Sequence, residues 1–126
     1  MPATYVLKVC VDFSAAHVLN GYDGGCAHLH GHNWQVEVEV KATALDDLGM
    51  GLDFKVIKQA AREVVAMLDH RYLNDVAPFT QQNPTAENIA AWIFGELATR
   101  LNRPHVRMHA VTLWETPRAC VRYSET

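Results

Sequence analysis

A chain of 126 residues, 49% hydrophobic and 20% charged, with a net charge of −3 when histidine is neutral, has the material of a single domain, residues 1–126, that can bury a core without disulfides. The mild negative charge speaks against a broad nucleic-acid surface, and no apolar run approaches the roughly 18 residues of a membrane span. Three cysteines at no framework spacing, and an N-terminus without an apolar signal core, predict a reduced, cytoplasmic protein.

Tyr5, Leu7, Val9, Val11 and Phe13 alternate along residues 5 to 13 and predict a strand. A loop punctuated by Gly21, Gly24 and Gly25 follows. Residues 32 to 41 predict a second strand, with Trp34, Val36, Val38 and Val40 on one face and Gln35, Glu37, Glu39 and Lys41 on the other. After "ALDDLGMGL" the period becomes helical. Val56, Ile57, Ala60, Ala61, Val64 and Val65 make an apolar stripe, and Asp53 is placed to cap it. A second helix starts at "PTAENIAAW", with Thr85 as N-cap, Glu87 in the first turn, and Ile89, Trp92, Ile93, Leu97 and Leu101 as its stripe. Two strand-like runs, "HVRMHAVTLWET" and "RACVRYSE", bend at Pro117 and predict an antiparallel hairpin.

This order predicts an α+β fold: a four-stranded antiparallel sheet with both helices on one face. The other face would be bare. Either the Trp34–valine row or Val111 and Leu113 would then need a partner, which predicts oligomer formation.

The chemistry concentrates in "CAHLHGHNW". His30 and His32 share a strand face about 6.6 Å apart, a spacing from which two imidazoles can converge on one ion. His17, at the end of "FSAAH" on the neighbouring strand, is the natural third ligand. Three neutral imidazoles with one open position are the pattern of a catalytic zinc site, and Gly31 between them leaves room for close backbone approach. His28 is read as a loop residue that can contact phosphate. Cys26 is either a fourth ligand that closes the site or a base or nucleophile facing a substrate. Cys10 and Cys120 read as buried core thiols. In "LDHRYLND", Asp69 can steer His70 if the helix end brings them together. Glu115 in "LWET" is a lone acid in an apolar run, which needs a partner if buried.

In their order, "FSAAH", "CAHLHGHNW", "LDHRYLND", "NPTAEN" and "LWET" resemble the 6-pyruvoyl-tetrahydropterin and 6-carboxy-tetrahydropterin synthases over nearly the whole chain. The resemblance implies a tunnelling fold whose subunits join sheets into a barrel, with trimers stacked into a homohexamer. It implies zinc (Zn2+) on His17, His30 and His32, Cys26 as catalytic cysteine, and Asp69 with His70 as acid–base pair. Glu115 would grip the pterin ring and Thr85 would line the pocket; Glu115 is expected to touch neither the metal nor the seam between subunits. The C-x-x-x-H-G-H spacing is like the bacterial carboxy enzymes of the pathway to queuosine. That branch implies a lyase that converts 7,8-dihydroneopterin triphosphate to 6-carboxytetrahydropterin, acetaldehyde and triphosphate, with no nucleic-acid or membrane partner. The alternatives are a 6-pyruvoyl-tetrahydropterin synthase and a non-catalytic zinc-binding module.

Overall fold

Two 13-residue strands, β1 (Tyr5–His17) and β2 (His30–Ala42), form the spine of the molecule. They pair antiparallel along their whole length, with Phe13 opposite Trp34, Ala15 opposite His32 and His17 opposite His30. The computed structural model describes residues 2–22, 24 and 28–126; Cys26 lies outside the described residues. Both strands run further toward the histidines than apolar alternation alone indicates.

The sheet has five strands in the order β3-β1-β2-β4-β5. β4 (Val106–Thr116) and β5 (Ala119–Tyr123) form the hairpin expected at Pro117. The fifth strand, β3 (Arg71–Tyr72), is only two residues long and pairs parallel with Ala15 and Ala16 of β1. A pair of residues has no period to detect, so the four-strand expectation falls short by this one edge.

α1 (Phe54–Ala66) begins where Asp53 accepts the Lys55 N–H at 2.9 Å, and it buries Ile57, Ala60, Ala61, Val64 and Val65. α2 (Ala86–Leu101) begins where Thr85 Oγ1 accepts the Asn88 N–H at 3.1 Å, and it buries Ile89, Ile93, Leu97 and Leu101. Both helices cover one face of the sheet, and the core lies between the layers.

That one covered face takes both apolar rows. Trp34, Val36, Val38 and Val40 are fully buried, and so are Val111 and Leu113. The cause is a bulge in β4. Glu39 pairs with Ala110 and Val40 with Met108, which leaves His109 as an extra residue. Val106 and Met108 before it, and Val111 and Leu113 after it, therefore all face the helices. The argument for a partner from a bare apolar row is corrected: the open face is polar. It carries Lys8, Glu37, Glu39 and Arg122, and Arg122 grips Glu39 with two bonds of 3.0 and 3.1 Å across β4. Cys10 and Cys120 stand exposed on this face, so their reading as core thiols is also corrected: in strands that alternate, even positions of β1 point away from the helices.

Among the described residues, no helix is long and apolar enough to cross a membrane.

Candidate metal centre and active site

His17 and His30 are cross-strand partners at the last rung of β1 and β2, and His32 is one step inward on the same face. Their rings pack edge to face, with centroids 4.5, 5.2 and 4.8 Å apart. Trp34 closes the inner side: its ring lies 5.1 Å from His17 and 5.2 Å from His32, and its indole N–H donates to the Ala15 carbonyl at 3.2 Å. Strand parity and pairing thus deliver three imidazoles to one point against an apolar wall.

Each outer nitrogen is oriented from behind. His17 Nδ1 donates to the Pro84 carbonyl at 2.8 Å, and His30 Nδ1 donates to the His28 carbonyl at 2.7 Å. A carbonyl only accepts, so both rings carry the proton on Nδ1 and present the Nε2 lone pair forward. His28 is exposed, and its main chain does this work.

Glu115 stands among the imidazoles, not apart from them. Its Oε1 lies 2.9 Å from His32 Nε2 and 3.7 Å from His17 Nε2. The residue is itself the extra one in a second bulge, because Trp114 pairs with Cys120 and Thr116 with Ala119. Bulges beside sites re-aim a side chain, and here the carboxylate is turned toward β2. The contact to His32 is close but not aligned as a hydrogen bond, so His17 Nε2 and His32 Nε2 remain buried without a hydrogen-bond partner.

Burial, above all, pulls both His17 and His32 below the ordinary histidine pKa, and the other imidazoles add to the effect; Glu115 opposes it. The rings are therefore neutral at neutral pH, as metal ligation requires. The ligand atoms of His17, His30, His32 and Glu115 all lie within 4.8 Å of one another. Two orphaned nitrogens in a neutral imidazole set fit a zinc-type ion and leave no other protein group to satisfy them.

At the end of α1 the chain turns through His70, which takes a left-handed φ of 58°. That turn brings the adjacent pair together: His70 Nδ1 lies 3.0 Å from Asp69 Oδ1. Asp69 Oδ1 also accepts the Ser14 N–H at 2.9 Å, and this bond leads the causes that hold its carboxyl below the usual range. The pair is thus moored to the outer edge of β1. A cleft of about 500 Å³ connects it with the metal cluster, bounded by His32 and Gly31 on one side and by His70, Arg71 and Tyr72 on the other. A Cβ at Gly31 would meet only ordinary contacts of 3.7 and 3.9 Å, so backbone approach does not demand glycine there.

Thr85 spends its hydroxyl as a helix cap. Sequence reasoning missed Pro84, whose carbonyl orients His17, because a main-chain acceptor has no residue-type signature.

The family model for 6-pyruvoyl tetrahydropterin synthase matches residues 6–126. A putative 6-carboxy-5,6,7,8-tetrahydropterin synthase from Archaeoglobus fulgidus is 39% identical over 109 residues, covering 86% of this chain and 90% of that protein. A 6-carboxy-5,6,7,8-tetrahydropterin synthase from a Synechocystis species is 39% identical over 116 residues, covering 88% and 86%. The structure of the Caenorhabditis elegans 6-pyruvoyl tetrahydropterin synthase superposes with a TM-score of 0.86 at 27% identity, over 98% of this chain and 97% of that one. The α+β layering described above is the tunnelling fold that these proteins share. With the match running from the first strand to the last residue, the chain belongs to the 6-pyruvoyl tetrahydropterin synthase family.

Proposed function

We propose that the protein is a zinc-dependent 6-carboxy-5,6,7,8-tetrahydropterin synthase, a lyase that converts 7,8-dihydroneopterin triphosphate to 6-carboxytetrahydropterin, acetaldehyde and triphosphate on the pathway to queuosine. The observation that carries this reading is the pair of buried, unpartnered nitrogens, His17 Nε2 and His32 Nε2, facing the same point as His30 and Glu115. The C-x-x-x-H-G-H spacing and the names of the Archaeoglobus and Synechocystis relatives favour the carboxy branch.

His17, His30 and His32 would hold the zinc. Bound there, zinc supplies a Lewis acid that stabilises negative charge developing on the substrate's side-chain oxygens. Cys26, as thiolate, takes a proton from the side-chain carbon. His70, steered by Asp69, returns or relays protons; its imidazole is 82% exposed in the single chain. A proton relay needs cover from bulk water, and a second subunit is the natural cover. The polar open face and the outer edges of the sheet suit subunits that join into a barrel, with trimers stacked into a homohexamer. Glu115 accepts from the amino and N–H donors of the pterin ring, and Thr85 lines the pocket. We place the protein in the cytoplasm, where the exposed thiols of Cys10 and Cys120 stay reduced.

Incubation of the purified protein with 7,8-dihydroneopterin triphosphate, with products identified by mass, tests the reading. 6-Carboxytetrahydropterin with acetaldehyde is expected. 6-Pyruvoyltetrahydropterin alone would assign the protein to the other branch, the one named for the worm structure and for a Drosophila relative 34% identical over 98 residues. No turnover with bound zinc would leave a non-catalytic metal-binding module.

A further inference from the structure

The motifs "LDHRYLND" and "NPTAEN" each contribute an asparagine without a role so far, Asn74 and Asn83. Both grip the chain that leaves His17. The Val18 N–H donates to Asn74 Oδ1 at 3.0 Å, and Asn74 Nδ2 donates to the Val18 carbonyl at 2.9 Å. Two residues on, the Asn20 N–H donates to Asn83 Oδ1 at 2.9 Å, and Asn83 Nδ2 donates to the Asn20 carbonyl at 2.8 Å. A primary amide offers the same carbonyl and N–H as a peptide group. Residues 18 to 20 are therefore held like an edge strand whose partner is two side chains.

The two clamps differ in what lies behind them. Next to Asn83 is Pro84, which is buried and whose carbonyl accepts the His17 Nδ1–H. The Asn83 carbonyl in turn accepts from Asn88 Nδ2 at 2.9 Å, in the first turn of α2. Asn83 is thus tied to the His17 segment through its side chain and to α2 through its main chain. Asn74 grips Val18, next to His17, with as many bonds, yet it carries no acceptor to the imidazole.

We infer that Asn83 is a positioning residue for the metal centre. It fixes the Pro84 carbonyl against His17, which keeps the proton on Nδ1 and aims Nε2 into the cluster. The inference rests on the metal reading proposed above. Outer-shell partners of ligating histidines typically contribute about 10- to 100-fold in metal affinity.

The test equilibrates zinc-loaded wild type, Asn83→Ala and Asn74→Ala against a chelator of known zinc affinity. Thermal midpoints are measured alongside, and cobalt-exchanged protein supplies the visible spectrum of the site. Asn83→Ala is expected to hold zinc about 10- to 100-fold more weakly and to shift the cobalt bands. Asn74→Ala, which loses the same number of clamp bonds, is expected to stay within about threefold, below the outer-shell range, with unchanged bands. Wild-type affinity and bands in Asn83→Ala overturn the inference. Equal losses in the two variants overturn it too, since any loosening of residues 18 to 20 would then suffice. Should Asn83→Ala fail to fold, Asn83→Asp keeps the acceptor and loses the donor; wild-type zinc affinity in that variant overturns the inference. A wild type that holds no zinc sinks the metal reading itself, which is a separate outcome.

Discussion

Glu115 Oε1 and His32 Nε2 lie 2.9 Å apart, on β4 and β2, with the carboxylate only 28% exposed. An acid held so close to neutral imidazoles serves the same centre that they do. Glu115→Gln keeps the shape and removes the charge. Zinc affinity should fall by about tenfold while three imidazoles still retain one ion per chain. Pterin affinity should fall by about 30- to 1000-fold, or about 2–4 kcal/mol, because a donor then faces the ring's donors. Chelator competition and fluorescence titration read the two effects separately. Unchanged zinc affinity would leave Glu115 as a ring anchor only; unchanged pterin affinity would remove it from the substrate pocket.

Cys26→Ala is expected to keep the zinc and the fold and to abolish turnover, since the reading places the thiol beside the metal and not on it. Elemental analysis with a product assay checks this. Loss of zinc in the variant would make Cys26 a ligand and close the open position that the mechanism needs.

Glu39 and Arg122 give a pH prediction. The Arg122 bonds hold the Glu39 carboxyl below its ordinary value of 4.5. A depressed acid adds stability above its unfolded pKa and loses it as pH falls through the folded one. The contribution should therefore be complete above about pH 5 and vanish below the folded value, toward pH 3. Glu39→Gln should lower the thermal midpoint at pH 7 by about 2–6 °C, for about 1 kcal/mol discounted because Arg122 is half exposed. The gap between the two proteins should close on acidification. A gap that stays constant down to pH 3 would show that packing, not charge, separates them.

Thr85→Ala should cost about 1 kcal/mol through loss of the α2 cap, and Thr85→Ser should restore it. Thermal unfolding tests the cap. Pterin titration of the same variants tests the pocket role, because the serine hydroxyl also restores a ligand contact. An alanine variant that is destabilised yet binds pterin normally would confine Thr85 to the helix end.

The sequence made the long elements legible because alternation over β2 and the stripes of α1 and α2 repeat often enough to be counted. The histidine trio was visible because the ligands sit on strands of known parity. Three things were not. β3 is too short for a period. The sides taken by Val111 and Leu113 depend on an extra residue that no pattern announces, and the placement of Glu115 depends on the same kind of irregularity. The carbonyls of Pro84 and His28 belong to the main chain and are silent in residue identity. Cys10 and Cys120 were misplaced because a small apolar residue in a strand can face either way, and parity with the neighbouring polar residues is the better guide.

The extra residue at His109 works as a frame marker for everything downstream of it on β4. Deleting that one histidine would shift the rest of the strand by one step and rotate Val111, Leu113 and Glu115 together to the opposite side of the sheet. The core would lose two of its valine-row neighbours, and the carboxylate would leave the imidazoles six positions away without any change at Glu115 itself. In this chain the placement of a site residue and the composition of the core are a single register setting, so insertions or deletions in β4 cannot alter one and spare the other.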